Sequence, residues 1–101
     1  MEHYATQADF IKALAHPTRL QILDLLKSGE KCVCEIFPAL NLEQPGVSRH
    51  LAILKMAGIV QSRKEGLKVI YRVTDPRIFE ILDLLAVTIK QIWRDKLELL
   101  T

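Results

Sequence analysis

The sequence predicts a mainly α-helical fold with a small β-hairpin, in the order α-α-α-α-β-β-α. Its 101 residues leave room for one domain, spanning residues 1–101, and no second one. Two observations predict this order. Apolar residues recur at helical spacing up to residue 57 and again from residue 77, whereas the period changes to 2 between residues 59 and 73. Half of the residues are apolar and only 6% are aromatic, which suits a core of aliphatic side chains between helices.

The first two helices are separated by a clear break. The first runs over residues 4–14, and Pro17 lies in the first turn of the second, where proline is tolerated. The second helix is expected to end near Lys27, because Gly29 can supply the left-handed conformation that follows a helix. In the first helix Ala8, Ile11 and Leu14 share one face at helical spacing, and the second helix is expected to bury Leu20, Leu23 and Leu26.

A short helix, a tight turn and a longer helix follow, which is the helix-turn-helix pattern. The short helix is predicted over about residues 33–40, and the longer one begins near Pro45 and ends at Ala57, before Gly58. The longer helix is expected to bury Val47, Leu51 and Leu54 and to present Gln44, Ser48, Ala52 and Lys55 on its opposite face.

The next segments predict a β-hairpin and a long last helix. Residues 59–64 and 68–73 are rich in β-branched residues and flank Glu65-Gly66-Leu67. Pro76 begins a helix that extends to about residue 100 and is apolar on more than one side. A monomer of this size cannot cover such a helix, so we expect a homodimer that pairs through the first and last helices.

Positive charge is concentrated in the middle of the chain. Residues 44–72 contain six basic residues and one acidic residue, whereas the rest of the chain contains eight basic and eleven acidic residues. A localised basic face is what binding to DNA phosphates requires, although an ordinary solvated surface has the same composition.

A basic hairpin directly after a helix-turn-helix forms a winged helix-turn-helix, in which one helix enters the major groove and the wing contacts the flanking backbone. Arg49 suits bidentate contact with guanine, and Gln44 can pair with adenine or contact a phosphate. His50 lies one residue past the outward face, so a structural role is as well supported as a DNA contact. The candidate DNA-binding residues are Gln44, Ser48, Arg49, His50, Lys55, Arg63, Lys64 and Lys68.

Cys32 and Cys34 are the only cysteines, and they lie at the start of the short helix. Cys32 occupies the N-cap position of a capping box whose Glu35 is retained, although cysteine is a poor cap. A helix start lowers the pKa of a thiol and favours the thiolate that binds soft metals. We therefore predict a metal site at Cys32 and Cys34, with two inert buried cysteines as the alternative. A structural disulfide is not expected, because residues two apart on a helix point to different sides.

Several motifs resemble the arsenic-responsive ArsR/SmtB family of repressors over nearly the whole chain. They are Ala15-His16-Pro17-Thr18-Arg19, Lys31-Cys32-Val33-Cys34-Glu35-Ile36, Val47-Ser48-Arg49-His50-Leu51, Gly58-Ile59-Val60 and Val69-Ile70-Tyr71-Arg72-Val73. The resemblance implies a dimeric repressor that needs no cofactor to bind double-stranded operator DNA. It also implies release of that operator when a metal ion or metalloid binds.

The resemblance places Cys32 and Cys34 at the metalloid site of the family, which implies trivalent arsenic or antimony, or another soft metal ion, as the inducer. The family commonly has a third cysteine where this chain has Phe37. The third ligand is then water, an outside thiol, His3 or Glu30. Drawing both sulphurs onto one centre is expected to distort the first turn of the short helix and so to weaken DNA binding. The zinc-type site of the family is excluded, because the last helix contains no histidine.

Other classes of function make different predictions. A redox or persulfide sensor on the same scaffold would use the two thiols as a reactive pair. A dithiol oxidoreductase is disfavoured because the chain has no Cys-x-x-Cys motif and no general base can be assigned near the thiols. A winged-helix module that never touches DNA is disfavoured by the basic stretch. No apolar run approaches the length of a membrane span and no secretion signal opens the chain, so we expect a cytoplasmic protein. Because no catalytic residues can be assigned, we also expect that it is not an enzyme.

Overall fold

The computed structural model describes residues 2–100. The elements are α1 (Glu2–Leu14), α2 (Pro17–Leu26), β1 (Lys31–Cys32), α3 (Val33–Ala39), α4 (Gln44–Met56), β2 (Val60–Glu65), β3 (Lys68–Val73) and α5 (Arg77–Leu100). The predicted mainly helical fold with a small hairpin is confirmed. The structure adds one element that the sequence analysis did not predict, the two-residue strand β1 before α3.

The core lies between α2, α3, α4 and the base of the hairpin. The three residues predicted to face inward from α4, Val47, Leu51 and Leu54, have no exposed surface, which confirms the helical phase. They pack with aliphatic residues of the neighbouring elements, as expected for a core with few aromatic rings. The other core residues are Ala13, Ile22, Leu23, Leu26, Ile36, Ile59, Val60 and Ile78.

Leu20, which was predicted to be buried, is exposed in the single chain, and so is Ile11 on the apolar face of α1. Ile11 of α1 is 63% exposed and Leu20 of α2 is 36% exposed. Ile11 lines an open groove with Ile81 of α5, and Leu20 lines a second groove with Leu85 of α5. The expectation of burial was therefore wrong for Leu20, because an open groove separates it from α5 in the single chain.

The strands form a three-stranded antiparallel sheet in the order β1-β3-β2. A two-residue turn, Gly66-Leu67, joins β2 to β3, and Gly66 has a φ of +63°. A positive φ at the first central residue is the requirement of a type II′ turn, which glycine meets without strain. On the other edge of β3, Cys32 of β1 pairs with Ile70. The wing is thus anchored to the segment that carries the first cysteine.

Helix α5 is long and mostly uncovered. It has 24 residues, of which only Ile78 is buried. Its large exposed apolar residues are Ile81, Leu84, Leu85, Val87, Ile89, Ile92, Trp93, Leu97, Leu99 and Leu100. None of the helices within residues 2–100 combines the length and the apolar character that crossing a bilayer requires.

Candidate nucleic-acid interface and dithiol site

Helix α4 has one face in the core and the other in solvent. Because its three inward residues are fully buried, Gln44 and Lys55 on the opposite side are exposed. Asn41 lies in the turn between α3 and α4 and has a φ of +55°. Asparagine tolerates this left-handed conformation better than most residues, so the chain can turn within the four residues that separate α3 from α4. The turn thereby sets α3 against the inner face of α4 and leaves the outer face free.

The predicted DNA-contacting residues of α4 lie along this outer face. Arg49 is exposed and Ser48 is half-buried beside it, one turn after Gln44. Lys55 lies in the last turn of the helix and is exposed. An exposed guanidinium, a hydroxyl and an amide on one helix provide the donors that read base edges and phosphates in a major groove.

His50 is oriented differently from its neighbours. Its ring packs on that of His16, with centroids 4.3 Å apart and planes inclined by 45°. His16 is the N-cap of α2, and its Nδ1 accepts a hydrogen bond from the Thr18 N–H at 3.1 Å. Burial lowers the pKa of His50, and the nearby His16, Arg19 and Arg49 lower it further. These contacts favour the structural role for His50; its direct contact with DNA stays a prediction.

Arg63 is held by two carboxylates. Its guanidinium donates to both carboxylate oxygens of Glu30 at 2.6 Å, and also to Glu65 at 2.9 Å. The hydrogen bonds from Arg63 lower the pKa of Glu30. The sequence analysis placed Arg63 among the candidate DNA-binding residues, but these two partners compensate its charge.

Lys64 and Lys68 are exposed at the wing. Lys64 pairs with Val69 across the ladder, whereas Arg63 pairs with Ile70. Since successive residues of a strand point to opposite faces, Lys64 and Arg63 lie on opposite faces of the wing. The uncompensated positive charge that the wing can offer to a DNA backbone therefore comes from Lys64 and Lys68 more than from Arg63.

Cys32 and Cys34 form a disulfide. The expectation that they would not was wrong, because it placed both residues on the helix. Cys32 lies in β1, with an extended backbone (φ −69°, ψ 148°), and only Cys34 lies in the first turn of α3. The extended residue can turn its side chain toward the helix, and their Cα atoms are 5.0 Å apart, within the normal range for a disulfide.

The bridge coexists with the predicted capping box. The sulphur of Cys32 accepts a hydrogen bond from the Cys34 N–H at 3.0 Å, and Glu35 Oε1 accepts one from the Cys32 N–H at 3.0 Å. The first turn of α3 therefore stays regular while the two sulphurs are joined. This corrects the expectation that bringing the sulphurs together would distort that turn.

The cysteines lie between the wing and α4. Lys31 and Cys32 pair with Tyr71 and Ile70 of β3, and α3, which begins after Cys32, packs on α4. The sequence analysis missed both β1 and the Glu30–Arg63 ion pair. A two-residue strand has no periodicity to detect, and the two members of the ion pair are 33 residues apart.

Within the described part of the chain, the two cysteines do not belong to a larger cluster of metal-ligating side chains. Among residues 3–100, no group of three or more histidine, cysteine, aspartate or glutamate side chains could hold a metal ion. Glu30 bonds Arg63 instead, and His3 packs on Tyr4. Neither of these two residues, suggested as a third ligand, is brought to the cysteines.

A cleft of about 270 Å³ opens beside the disulfide. Its walls come from α3, from the outer face of α4 and from the wing, and include Cys34, Phe37, Gln44, Ser48, Lys68 and Tyr71. The cleft thus joins the dithiol directly to two of the predicted DNA-contacting residues of α4.

The comparisons with known proteins agree with this architecture. The family model described as "Bacterial regulatory protein, arsR family" matches residues 16–62, which include α2, α3 and α4. The uncharacterized HTH-type transcriptional regulator MJ1325 of Methanocaldococcus jannaschii is 49% identical over 85 residues, covering 83% of this chain and 96% of that protein.

Two solved structures have the same fold over most of their length. The crystal structure of Rv0081 of Mycobacterium tuberculosis has a TM-score of 0.86 at 33% identity and covers 96% of this chain and 98% of that one. The solution structure of the homodimeric winged helix-turn-helix DNA-binding domain Mb0332 of Mycobacterium bovis has a TM-score of 0.83 at 33% identity and covers 93% and 87%. A winged helix-turn-helix with an exposed reading face, together with these likenesses, shows that the chain belongs to the arsR family of bacterial regulatory proteins, which are transcriptional regulators and not enzymes.

Proposed function

We propose that this protein is a homodimeric, cytosolic repressor whose affinity for operator DNA decreases when Cys32 and Cys34 are oxidised to a disulfide. One observation carries the proposal: the two cysteines join where the wing strand β3 and the α3–α4 pair meet. A covalent change at this point acts on both DNA-binding elements at once.

DNA binding is assigned to the outer face of α4 and to the wing. Gln44, Ser48 and Arg49 are positioned to enter a major groove, and Lys64 and Lys68 to contact the flanking backbone. These residues carry hydrogen-bond donors and positive charge, the two requirements for phosphate and base-edge contacts.

Dimer formation is assigned to α1 and α5. The apolar residues of α5 and Ile11 of α1 are uncovered in the single chain, and uncovered apolar area of this extent favours association. The Mb0332 domain, which this chain resembles over 93% of its length, is homodimeric. A two-fold dimer would place two copies of α4 at the spacing of successive major grooves.

The redox response follows from the position of the bridge. Cys32 moves with the wing, because its backbone pairs with β3, and Cys34 moves with α3 and α4. In the dithiol form the wing can adjust to the DNA backbone while α4 adjusts independently to the major groove. The disulfide couples their positions, and we therefore expect the oxidised form to bind DNA more weakly.

Binding of a fragment of its own promoter, followed by fluorescence anisotropy in the dithiol and disulfide forms, tests this proposal. The dithiol form is expected to bind more tightly by about 5- to 150-fold, the range of typical coupling free energies. The Cys32→Ser/Cys34→Ser variant should bind in both conditions with the same affinity, since serine keeps a capping oxygen. Equal affinities of the two wild-type forms, with oxidation state verified by thiol titration, would contradict the proposal.

Trivalent arsenic or antimony is a second candidate effector, supported by the convergence of two sulphurs beside an open cleft. Two thiolates are soft ligands that suit such ions, and an outside thiol would complete the site. A panel of As(III), Sb(III), Cd(II), Zn(II), peroxide and polysulfide, applied to the reduced protein on DNA, separates the candidates. Release by As(III) without disulfide formation would favour the metalloid, and release only with disulfide formation would favour the redox proposal.

A further inference from the structure

We infer that the cleft between α3, α4 and the wing takes a small thiol carrying a carboxylate, which exchanges with the disulfide and forms a mixed disulfide on Cys34. This inference rests on the proposed redox function and adds the chemical class of the reductant and the sulphur that it attacks.

The two sulphurs differ in access. Both cysteines border the cleft, but Cys32 is only 3% exposed, whereas Cys34 is an exposed residue. An incoming thiolate attacks a disulfide only at a sulphur that it can reach, and access decides which sulphur reacts. Exchange therefore takes place at Cys34 Sγ, and Cys32 is the leaving group.

The residues that line the cleft favour a thiol that carries a negative charge. Among residues 3–100, Lys68 is the one cationic residue that lines the cleft, and none of the lining residues carries a carboxylate. Gln44, Ser48 and Tyr71 add polar groups that can hydrogen-bond a carboxylate. At about 270 Å³ and open to solvent, the cleft admits a thiol of amino-acid size.

The exchange balances without an added oxidant. The thiolate RS⁻ forms a bond to Cys34 Sγ, the Cys32–Cys34 bond breaks, and Cys32 leaves as a thiolate that takes a proton from water. The Cys34 N–H already donates to Cys32 Sγ at 3.0 Å and stabilises the negative charge that develops there. A second RS⁻ then attacks the outer sulphur of the adduct, which releases RSSR and leaves both protein cysteines reduced.

The adduct has a consequence for DNA. A carboxylate held in this cleft lies beside Gln44 and Ser48, on the face assigned to the DNA. Its negative charge repels phosphates, and its bulk fills the space between α4 and the wing. The mixed disulfide is therefore expected to bind DNA more weakly than the dithiol form.

The test uses three small thiols that differ in charge: 3-mercaptopropionate, 2-mercaptoethanol and cysteamine. The full-length disulfide protein is mixed with each thiol, quenched with an alkylating agent, and followed by intact-mass and peptide mass spectrometry. We expect the adduct on Cys34 and the alkylating group on Cys32. An adduct mainly on Cys32 would overturn the inference.

The matched variant is Lys68→Gln, and its rate is compared with wild type for each thiol, so that intrinsic thiol reactivity cancels. In the variant the rate of exchange with the anionic thiol is expected to fall by about two- to fivefold, the effect of one exposed charge. The rate with the neutral thiol should stay unchanged. The cationic thiol should become faster. Equal effects on all three thiols would overturn the charge selection.

Two single-cysteine variants provide an independent measurement. Cys32→Ser keeps Cys34 and should form a mixed disulfide with oxidised 3-mercaptopropionate. Cys34→Ser keeps only the buried Cys32, so its reaction rate should be lower by at least about tenfold. Circular dichroism verifies that both variants are folded, and equal rates in two folded variants would contradict the inference. Adduct formation is measured without DNA. An adduct on Cys34, together with equal DNA affinities of the dithiol and disulfide forms, would therefore contradict the proposed function alone.

Discussion

The guanidinium of Arg63 donates to both carboxylate oxygens of Glu30, at 2.6 Å each. This pair joins the middle of the wing to the residue that precedes β1, 33 positions earlier in the chain. Together with the β1–β3 pairing, it fixes the wing to the cysteine segment. It also decides which charges of the wing remain available to DNA.

Lys64→Gln and Arg63→Gln are expected to differ in their effect on the salt dependence of DNA binding. Lys64 has a free charge at the wing, so its loss should reduce the slope of log K against log salt concentration by about 0.9 per phosphate contact. Arg63 is compensated by Glu30 and Glu65, so Arg63→Gln should change the slope much less. Titrations over a range of salt concentrations measure both; identical slopes in the two variants would contradict this assignment.

Glu30→Gln is expected to strengthen DNA binding. The change removes a carboxylate that compensates Arg63 and so leaves more positive charge on the wing. The pair is exposed, with side chains 48% and 44% accessible, so little change in folding stability is expected. The measurement is the affinity at low salt, with Glu43→Gln as a control at an exposed position before α4. An affinity below that of wild type would indicate that the ion pair positions the wing for DNA.

Arg49→Ala is expected to weaken specific binding by about 1–3 kcal/mol and to relax the base preference at one position of the operator, because a bidentate contact is lost. Lys55→Gln is the matched control, since loss of a phosphate contact should lower the affinity similarly for all sequences. Competition among operator fragments with single base changes measures both effects. An unchanged base preference in Arg49→Ala would remove Arg49 from the reading residues.

Ile92→Glu is expected to convert the dimer to monomers and thereby to reduce operator affinity. Ile92 is 58% exposed in the single chain, and burying a carboxylate in an apolar interface is unfavourable. Leu67→Glu at the wing tip, where the residue is fully exposed, serves as the control for an added charge. Sedimentation equilibrium measures the mass of each variant, and an Ile92→Glu protein that remains dimeric would place the interface elsewhere.

His50 is expected to make folding stability decrease below about pH 6.5, the ordinary pKa of histidine. Burial lowers the pKa of His50 in the folded chain, so the unfolded chain binds this proton more tightly. The folding stability that depends on neutral His50 is therefore fully present above the pKa of His50 in the unfolded chain. It is lost as the pH falls toward the lower pKa of His50 in the folded chain. Urea unfolding between pH 8 and pH 5 should give a smaller loss for His50→Gln than for wild type. If the free energy of unfolding falls equally with pH in His50→Gln and in wild type, this role of His50 is contradicted.

Much of the fold and part of the site could be predicted from local sequence. The inward phase of α4 follows from Val47, Leu51 and Leu54 at helical spacing, and the wing turn from a glycine between two β-branched runs. The burial of Leu20 could not be judged in the same way. Whether an apolar residue is covered depends on which neighbouring element packs on it, and α5 leaves an open groove beside Leu20.

The sequence by itself determined the order of the elements, the helix-turn-helix pattern and the position of the two cysteines at a helix start. These properties depend on residues within a few positions of one another, where periodicity, capping and turn residues act. Only the tertiary structure decided that Arg63 is compensated, that His50 packs on His16, and that Cys32 lies in a strand from which it reaches Cys34. The charge on the wing, the environment of His50 and the strand that holds Cys32 are set by contacts between segments 30 to 40 residues apart, and no local pattern encodes them.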